Sequence, residues 1–232
     1  MFYINEGEII LVNKPYKWTS FDAIASMRGI MRLITGGKIK IGHAGTLDPL
    51  ATGLLIICTG KATKRIEEFM GFDKEYTGTF TLGATTPSFD LEKEIDQTYA
   101  TEHITPEMIA QAAQSFTGDI MQTPPLFSAM WVNGKRAYEH ARNNDDVKLQ
   151  PRPVHVAAFE ITRIALPEVD FRIVCSKGTY IRSLARDFGI ALNSGAHLTK
   201  LCRTRIGPYM LENAWEIADL KDELRKQIKT VE

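Results

Sequence analysis

The sequence predicts an α+β fold, a mixed and mostly antiparallel sheet with flanking helices, formed as a single domain over residues 1–232. Three observations carry this. Residues 76–82 alternate in period two, with Tyr76, Phe80 and Leu82 on one face and Thr77, Thr79 and Thr81 on the other. Residues 154–164 and 169–176 read as two long strands with a turn near Pro167. Between the strand-like runs lie helical patterns, the first carrying Phe21, Ile24, Met27, Ile30, Met31 and Ile34 at helical spacing.

In chain order, residues 8–12 form a short strand stopped by Asn13-Lys14-Pro15. Ser20 is placed to cap a helix from Phe21 to about Leu33, which Thr35-Gly36-Gly37 ends. Residues 54–58 are continuously apolar, the pattern of a strand buried on both faces. Thr59-Gly60 opens a helix to Met70, with Gly71 as its stop. Residues 85–97 are polar and acidic and read as an exposed loop. Thr105-Pro106 starts a helix to Phe116, proline being suited to the first turn. Gln122-Thr123-Pro124-Pro125 introduces a strand through Val132, Asn133-Gly134 signals a hairpin, and residues 137–143 form a short helix. A helix from Gly178-Thr179 to about Leu192, a turn at 193–195 and a strand over 198–206 follow. Asn213 and Glu216 have capping-box spacing ahead of a last helix reaching about Ile228.

The most distinctive stretch is residues 42–53, Gly-His-Ala-Gly-Thr-Leu-Asp-Pro-Leu-Ala-Thr-Gly. Its glycines permit unusual backbone and close approach, and Pro49 fixes the chain just after Asp48. Asp48 is the only acid between Arg28 and Arg65, a span holding seven Lys or Arg residues. Nearby positive charge favours an ionised carboxylate, which suits a nucleophile better than a general acid. An Asp before Pro is also an ordinary turn residue, and the loop alone leaves both roles open.

Net charge is zero, yet the charge is segregated. Residues 66–120 hold eleven acids and two bases, whereas residues 172–205 hold seven bases and one acid, Asp187. The two basic segments would make a cationic face suited to a polyanion if they meet in space. No apolar run approaches the ~18 residues of a membrane span. The N-terminus lacks a signal-peptide pattern, and Cys58, Cys175 and Cys202 are odd in number and widely spaced, which fits the cytoplasm. The five histidines and three cysteines show no metal-ligand spacing, and the Gly53 to Gly60-Lys61 stretch lacks phosphate-loop spacing. The expected chemistry is therefore free of metal and cofactor and centred on Asp48.

Residues 42–53 closely resemble the catalytic loop of the TruB family of pseudouridine synthases, G-H-x-G-x-L-D-P-x-A-x-G. The resemblance continues in family order. Lys14-Pro15 with Thr19-Ser20 is similar to K-P-x-G-x-T/S-S, with Lys17 where glycine is usual. Gly60-Lys61-Ala62-Thr63-Lys64, Lys74-Glu75-Tyr76 with Leu82-Gly83, and residues 176–182 (Ser-Lys-Gly-Thr-Tyr-Ile-Arg) match further motifs. Gly195-Ala196-His197-Leu198 and Leu201-Cys202-Arg203-Thr204 are close to the last one.

The resemblance implies a pseudouridine synthase-like sheet crossed by an RNA-binding cleft, and isomerisation of uridine to pseudouridine at position 55 in the T loop of tRNA. It implies Asp48 as nucleophile or base, Tyr76 as the aromatic packed on the target base, and Arg182 as the partner of Asp48. Tyr180 and Leu201 would line the uracil pocket, and His43 would fill the space left by the flipped nucleotide. Lys61, Lys64, Arg203 and Arg205 would contact phosphates. Trp131 stands where many relatives have lysine, and Cys202 replaces an arginine, so two cationic contacts are lost. Only about 25 residues follow the last motif, so no C-terminal PUA domain is expected. That points to a stand-alone monomer acting without guide RNA, membrane or metal. The alternative from another class is a noncatalytic tRNA-binding or tRNA-folding protein on the same fold. A hydrolase of the same bond would need a second carboxylate, which the motifs do not supply.

Overall fold

The computed structural model describes residues 1–229, leaving aside 129, 133, 144, 146 and 148 and the side chains of 136, 141, 142 and 229. The architecture is mixed α+β, with a mostly antiparallel sheet and flanking helices. The chain divides into two compact units, residues 1–76 with 201–232, and residues 77–200.

The first unit contains β1 (Ile9–Lys14), α1 (Ser20–Thr35), β2 (Ile41–Ala44), β3 (Thr52–Thr59), a 3-10 turn Gly60–Arg65 and α2 (Ile66–Gly71). The chain leaves this unit within β4 (Lys74–Leu82). The buried strand β3 is the axis of the unit. It pairs antiparallel with β1 and β2, and alternate residues enter opposite cores. Leu55 and Ile57 pack with Ala23, Ile24, Met27 and Met31 of α1. Leu54, Ile56 and Cys58 pack with Ala62 and Phe69 on the other face. This explains the continuous apolar run, since a strand covered on both faces has no polar side. Burial also pushes the Cys58 thiol up to about 11, which makes it an inert core residue.

The second unit holds a short pair, β5 (Ala84–Thr85) and β6 (Gln97–Thr98), then α3 (Pro106–Ser115) and β7 (Gly118–Gln122). The hairpin of β8 (Trp131–Val132) and β9 (Lys135–Arg136) leads into α4 (Ala137–Asn143). Strand β10 (Arg152–Ala165) is the middle of an antiparallel set with β7 and β11 (Glu168–Cys175). Helix α5 (Ile181–Ala191) covers it, and β12 (Ala196–Ile206) carries the chain back to the first unit. The core is aromatic. Phe80 lies 4.3 Å from Phe171 and 5.5 Å from Phe188, and Phe159 lies 5.6 Å from Phe188. In the first unit, β13 (Tyr209–Met210) pairs with β12, β14 (Trp215–Glu216) runs parallel to β1, and α6 (Ile217–Lys229) ends the description.

Several expected details differ. The α1 cap is Thr19, not Ser20. Thr19 accepts from Asp22 N at 3.0 Å while the Asp22 carboxylate accepts from Thr19 N at 2.8 Å. Phe21 is not a core residue but lies exposed, with the Arg28 guanidinium 5.5 Å over its ring. The strand near residue 122 precedes Pro124-Pro125 rather than following them. Residues 85–97 are not uniformly solvated, since Thr86, Ser88 and Asp90 are buried. The helix expected over 60–70 begins as the 3-10 turn. Asn213 ends a 3-10 turn and Glu216 lies in β14, accepting from Asn13 Nδ2 at 2.7 Å. The hairpin register places Val132 opposite Lys135, although Asn133 lies outside the described residues.

Thr19→Ala removes the reciprocal cap of α1. We expect a loss of about 1 kcal/mol in urea unfolding, and an unchanged midpoint would show that tertiary packing alone holds this helix start.

Candidate active site

Asp48 sits in the connection from β2 to β3, between Gly45 and Ala51. That connection is bolted down at four points within the first unit. Ser20 Oγ accepts from Leu47 N at 2.9 Å and donates to Leu47 O at 3.3 Å. Ala51 N donates to Asp48 O at 3.1 Å, closing a turn around Pro49. Lys17 N donates to Pro49 O at 2.9 Å. Lys14 is wholly buried, and its Nζ donates to Trp18 O at 2.6 Å, Pro15 O at 3.0 Å and Pro49 O at 3.4 Å.

Lys17, at the place where a glycine is usual, has φ 66°. This is the left-handed region, which explains the preference for glycine and assigns Lys17 a local strain. The Lys14-Pro15 turn and the Asp48 loop are thereby one structure.

Arg203 is the second buried cation. The resemblance implies a phosphate contact for it, but it is only 1% exposed and serves the loop instead. Its Nε donates to Leu54 O at 2.8 Å and one terminal nitrogen donates to Gly45 O at 3.0 Å. The parallel pairing of β12 with β3 sets Cys202 opposite Thr52 and Arg203 opposite Gly53. Gly53 has φ 104°, and a Cβ there would collide with the Arg203 backbone. The same pairing brings Leu201 to the loop's end, where Thr52 Oγ1 donates to Leu201 O at 3.3 Å.

His43 lies on β2, half-buried. Burial first and the charge of Arg203 second hold its pKa below the usual histidine value. Its Nδ1 is buried without a hydrogen-bond partner among the described residues. A neutral, flat ring at the head of the loop is suited to stacking. Tyr76 is half-buried in the first part of β4, next to Glu75, whose carboxylate accepts from Thr204 Oγ1 at 2.9 Å and lies 3.7 Å from Arg205 Nε. Lys61 and Lys64 are exposed on the 3-10 turn.

Tyr180 and Arg182 belong to the second unit, at the start of α5. Gln122 holds the Tyr180 backbone from both sides, accepting from its N–H at 2.8 Å and donating to its carbonyl at 3.1 Å. The Arg152 guanidinium lies 5.2 Å from the Tyr180 ring centre. Arg182 is 4% exposed. It donates to Phe127 O at 3.0 Å and Ser88 O at 3.3 Å, and its Nε lies 3.5 Å from Asp90 Oδ2. Asp90 is in turn held by Ser88 Oγ at 2.6 Å and Glu92 N at 3.0 Å.

The sequence reading missed Asp90, because it stands in an acidic stretch that looks solvated. Its signal is the Ser88-x-Asp90 pattern of a side-chain-closed turn. Among the described residues, no group of three or more His, Cys, Asp or Glu could hold a metal ion. No helix is long and apolar enough to cross a membrane.

Residues 32–181 match the family described as TruB family pseudouridylate synthase (N terminal domain). Residues 182–232 match tRNA pseudouridylate synthase B C-terminal domain. A tRNA pseudouridine synthase B of Flavobacterium johnsoniae is 57% identical over 222 residues, covering 95% of this chain and 97% of the relative. One from Phocaeicola vulgatus is 57% identical over 223 residues, covering 96% of this chain and 95% of the relative. Among solved structures, a chain of a Cbf5-Nop10-Gar1 complex is similar at a TM-score of 0.72 and 29% identity, covering 97% of this chain and 60% of that one.

Two outcomes follow from the loop's anchors. Lys14 has its pKa lowered from 10.5 to about 8, first by burial and against the attraction of Asp48. Between those values the unfolded chain keeps a proton that the folded chain has lost, so this group makes stability rise as pH rises through the window. Urea unfolding across pH 7–10 should show a rising component in wild type that is absent from Lys14→Met. Identical pH profiles would remove Lys14 as its source. Lys17→Gly should relieve the left-handed strain and change stability by no more than about 1 kcal/mol, in the stabilising direction; a clear loss in the same assay would contradict the strain.

Proposed function

The chain belongs to the TruB family of pseudouridylate synthases, and on that premise we propose that it converts uridine 55 in the T loop of tRNA to pseudouridine, with Asp48 as the nucleophile or base. The isomerase activity follows from the family and from relatives over half identical along nearly their whole length. The T-arm position and the residue roles are our reading. The observation that carries them is a single carboxylate, Asp48, on a loop fixed by Ser20, Lys14 and Arg203.

The reaction breaks the bond from the sugar to N1, turns the uracil while it stays bound, and joins the sugar to C5. The C5 proton goes to solvent and the freed N1 takes one up, so substrate and product are isomers. Asp48 needs a fixed place relative to a base drawn out of its stack, which costs a few kcal/mol. The anchored loop provides that place without ordering at the moment of binding. Tyr76 packs on the base and assists removal of the C5 proton. Tyr180 and Leu201 line the uracil pocket. Arg182 orients the Asp48 carboxylate, its own guanidinium being fixed by Asp90 and two carbonyls. His43, held neutral, stacks in the gap left in the RNA. Lys64 meets a phosphate. The enzyme works as a cytoplasmic monomer, without guide RNA or cofactor.

The test is tritium release from 5-tritiated uridine in an unmodified tRNA transcript, with RNA binding followed in parallel. Wild type should release tritium, and Asp48→Asn should lose at least about 10³-fold in rate, as expected for removal of an essential nucleophile or base, while still binding. A transcript with uridine 55 replaced by cytidine should release none above background. RNA binding without release by wild type would leave a tRNA-folding role in place of catalysis on this substrate.

A further inference from the structure

Two adjoining cavities of about 390 Å³ each open on the first unit, away from the anchored loop's own hydrogen bonds. They share Lys38, Ile39, Lys40 and Thr63. The first adds Lys61 and Lys64, and the second adds Arg28 and Arg32 from α1. The two linings thus carry six cations and no carboxylate.

The floor is built rather than incidental. Gly60 N donates to Lys40 O at 2.9 Å, which ties the segment carrying Lys38 and Lys40 to the 3-10 turn carrying Lys61 and Lys64. Thr63 Oγ1 closes that turn on Gly60 O at 2.8 Å. At the far end, a Cβ on Gly42 would meet Ile66 Cδ1 at 2.8 Å, so the backbone there is packed closely. Gly42 is the residue before His43, so the lining of the second cavity reaches β2 next to the residue that heads the Asp48 loop.

Several other surface cations are matched by acids. Arg65 pairs with Glu68, Arg163 with Asp170 and Glu168, Arg225 with Asp222, and Lys226 with Glu223. Among the described residues, none of the six channel cations is within ion-pair distance of a carboxylate. Arg28 Nε is buried with no hydrogen-bond partner. Like charges gathered without counter-charges repel one another, so the arrangement costs stability unless an anion occupies it.

We propose that this channel is a second phosphate-binding track, in which Arg28, Arg32 and Lys38 hold consecutive backbone phosphates of the bound RNA beyond the contact made by Lys64. The proposal rests on the RNA-substrate reading above. Its occupant is a phosphodiester strand rather than a free nucleotide, because the two cavities adjoin through four shared lining residues and the six cations are spread over both rather than gathered in one. Counterions released from several phosphates give such a track a marked salt dependence.

The experiment measures the affinity of Asp48→Asn protein, which does not turn over, for unmodified tRNA between 50 and 300 mM KCl. It adds the triple change Arg28→Gln, Arg32→Gln, Lys38→Gln, and separately the single changes Arg32→Gln and Lys38→Gln. A control carries Arg225→Gln and Lys226→Gln on α6. The triple variant should bind at least about 10-fold more weakly near 100 mM salt, with the slope of log K against log salt smaller by about 2. Each single change should reduce the slope by about 0.7–0.9, and the control should move neither quantity. An unchanged slope in variants whose thermal midpoints match the parent would overturn the track, as would an equal loss in the control. Absence of tRNA binding by the parent would instead reject the RNA-substrate reading, and the track with it.

Discussion

Everything around Asp48 depends on two buried cations whose N–H groups are given to backbone carbonyls. Lys14 holds the carbonyls of Pro15, Trp18 and Pro49, and Arg203 holds those of Gly45 and Leu54. A loop rich in glycine has many backbone states and would not by itself hold an acid still. Hydrogen bonds from charged donors are worth about 1.5–3 kcal/mol each. They tie together backbone carbonyls from separate stretches of the chain. The cost is desolvation of two cations, several kcal/mol per ion in general. The depressed pKa of Lys14 is the mark of that cost.

The second unit uses the same device with different parts. Arg182 is fixed by the carbonyls of Ser88 and Phe127 and by Asp90, and Asp90 is fixed by Ser88 and Glu92. A guanidinium has five donors in a rigid fork, so several partners at once can fix its plane. A lysine at this place would be a point charge with rotating donors. The Tyr180 backbone is clamped by Gln122 one residue before α5 begins. In both units, then, the candidate site residues are held through their backbones or charged groups by side chains distant in sequence.

That distance explains what could be read beforehand. The buried β3, the capped α3 and the long β10 and β11 were legible because each rests on a local pattern of apolar spacing, capping or alternation. The Asp48 loop was legible as a glycine-rich segment with one acid. The roles of Lys14 and Arg203 were not. Composition assigns a lone basic residue to the surface, and only the pairing of β12 with β3 buries Arg203 beside Gly53. Asp90 was obscured in the same way by acidic neighbours that do remain exposed. Ser20 looked like a helix cap, and the structure moves the cap one residue back to free the Ser20 hydroxyl for Leu47.

The zero net charge hides a division of labour among the cations. Some are buried and satisfied by carbonyls, as Lys14 and Arg203 are. Some are exposed and matched by acids, as on α6. A third set, between Arg28 and Lys64, lines two cavities with no acid in their linings. This last class presents an unneutralised field at the surface, whereas a matched pair presents little. The sequence places the unmatched class in the same span as Asp48 and excludes every other acid from it. Any further carboxylate there would neutralise part of the field that draws a polyanion toward the loop. The solitary acid between Arg28 and Arg65 is thus a statement about charge as much as about catalysis: the position that must be negative for chemistry is the only one that the binding surface can tolerate.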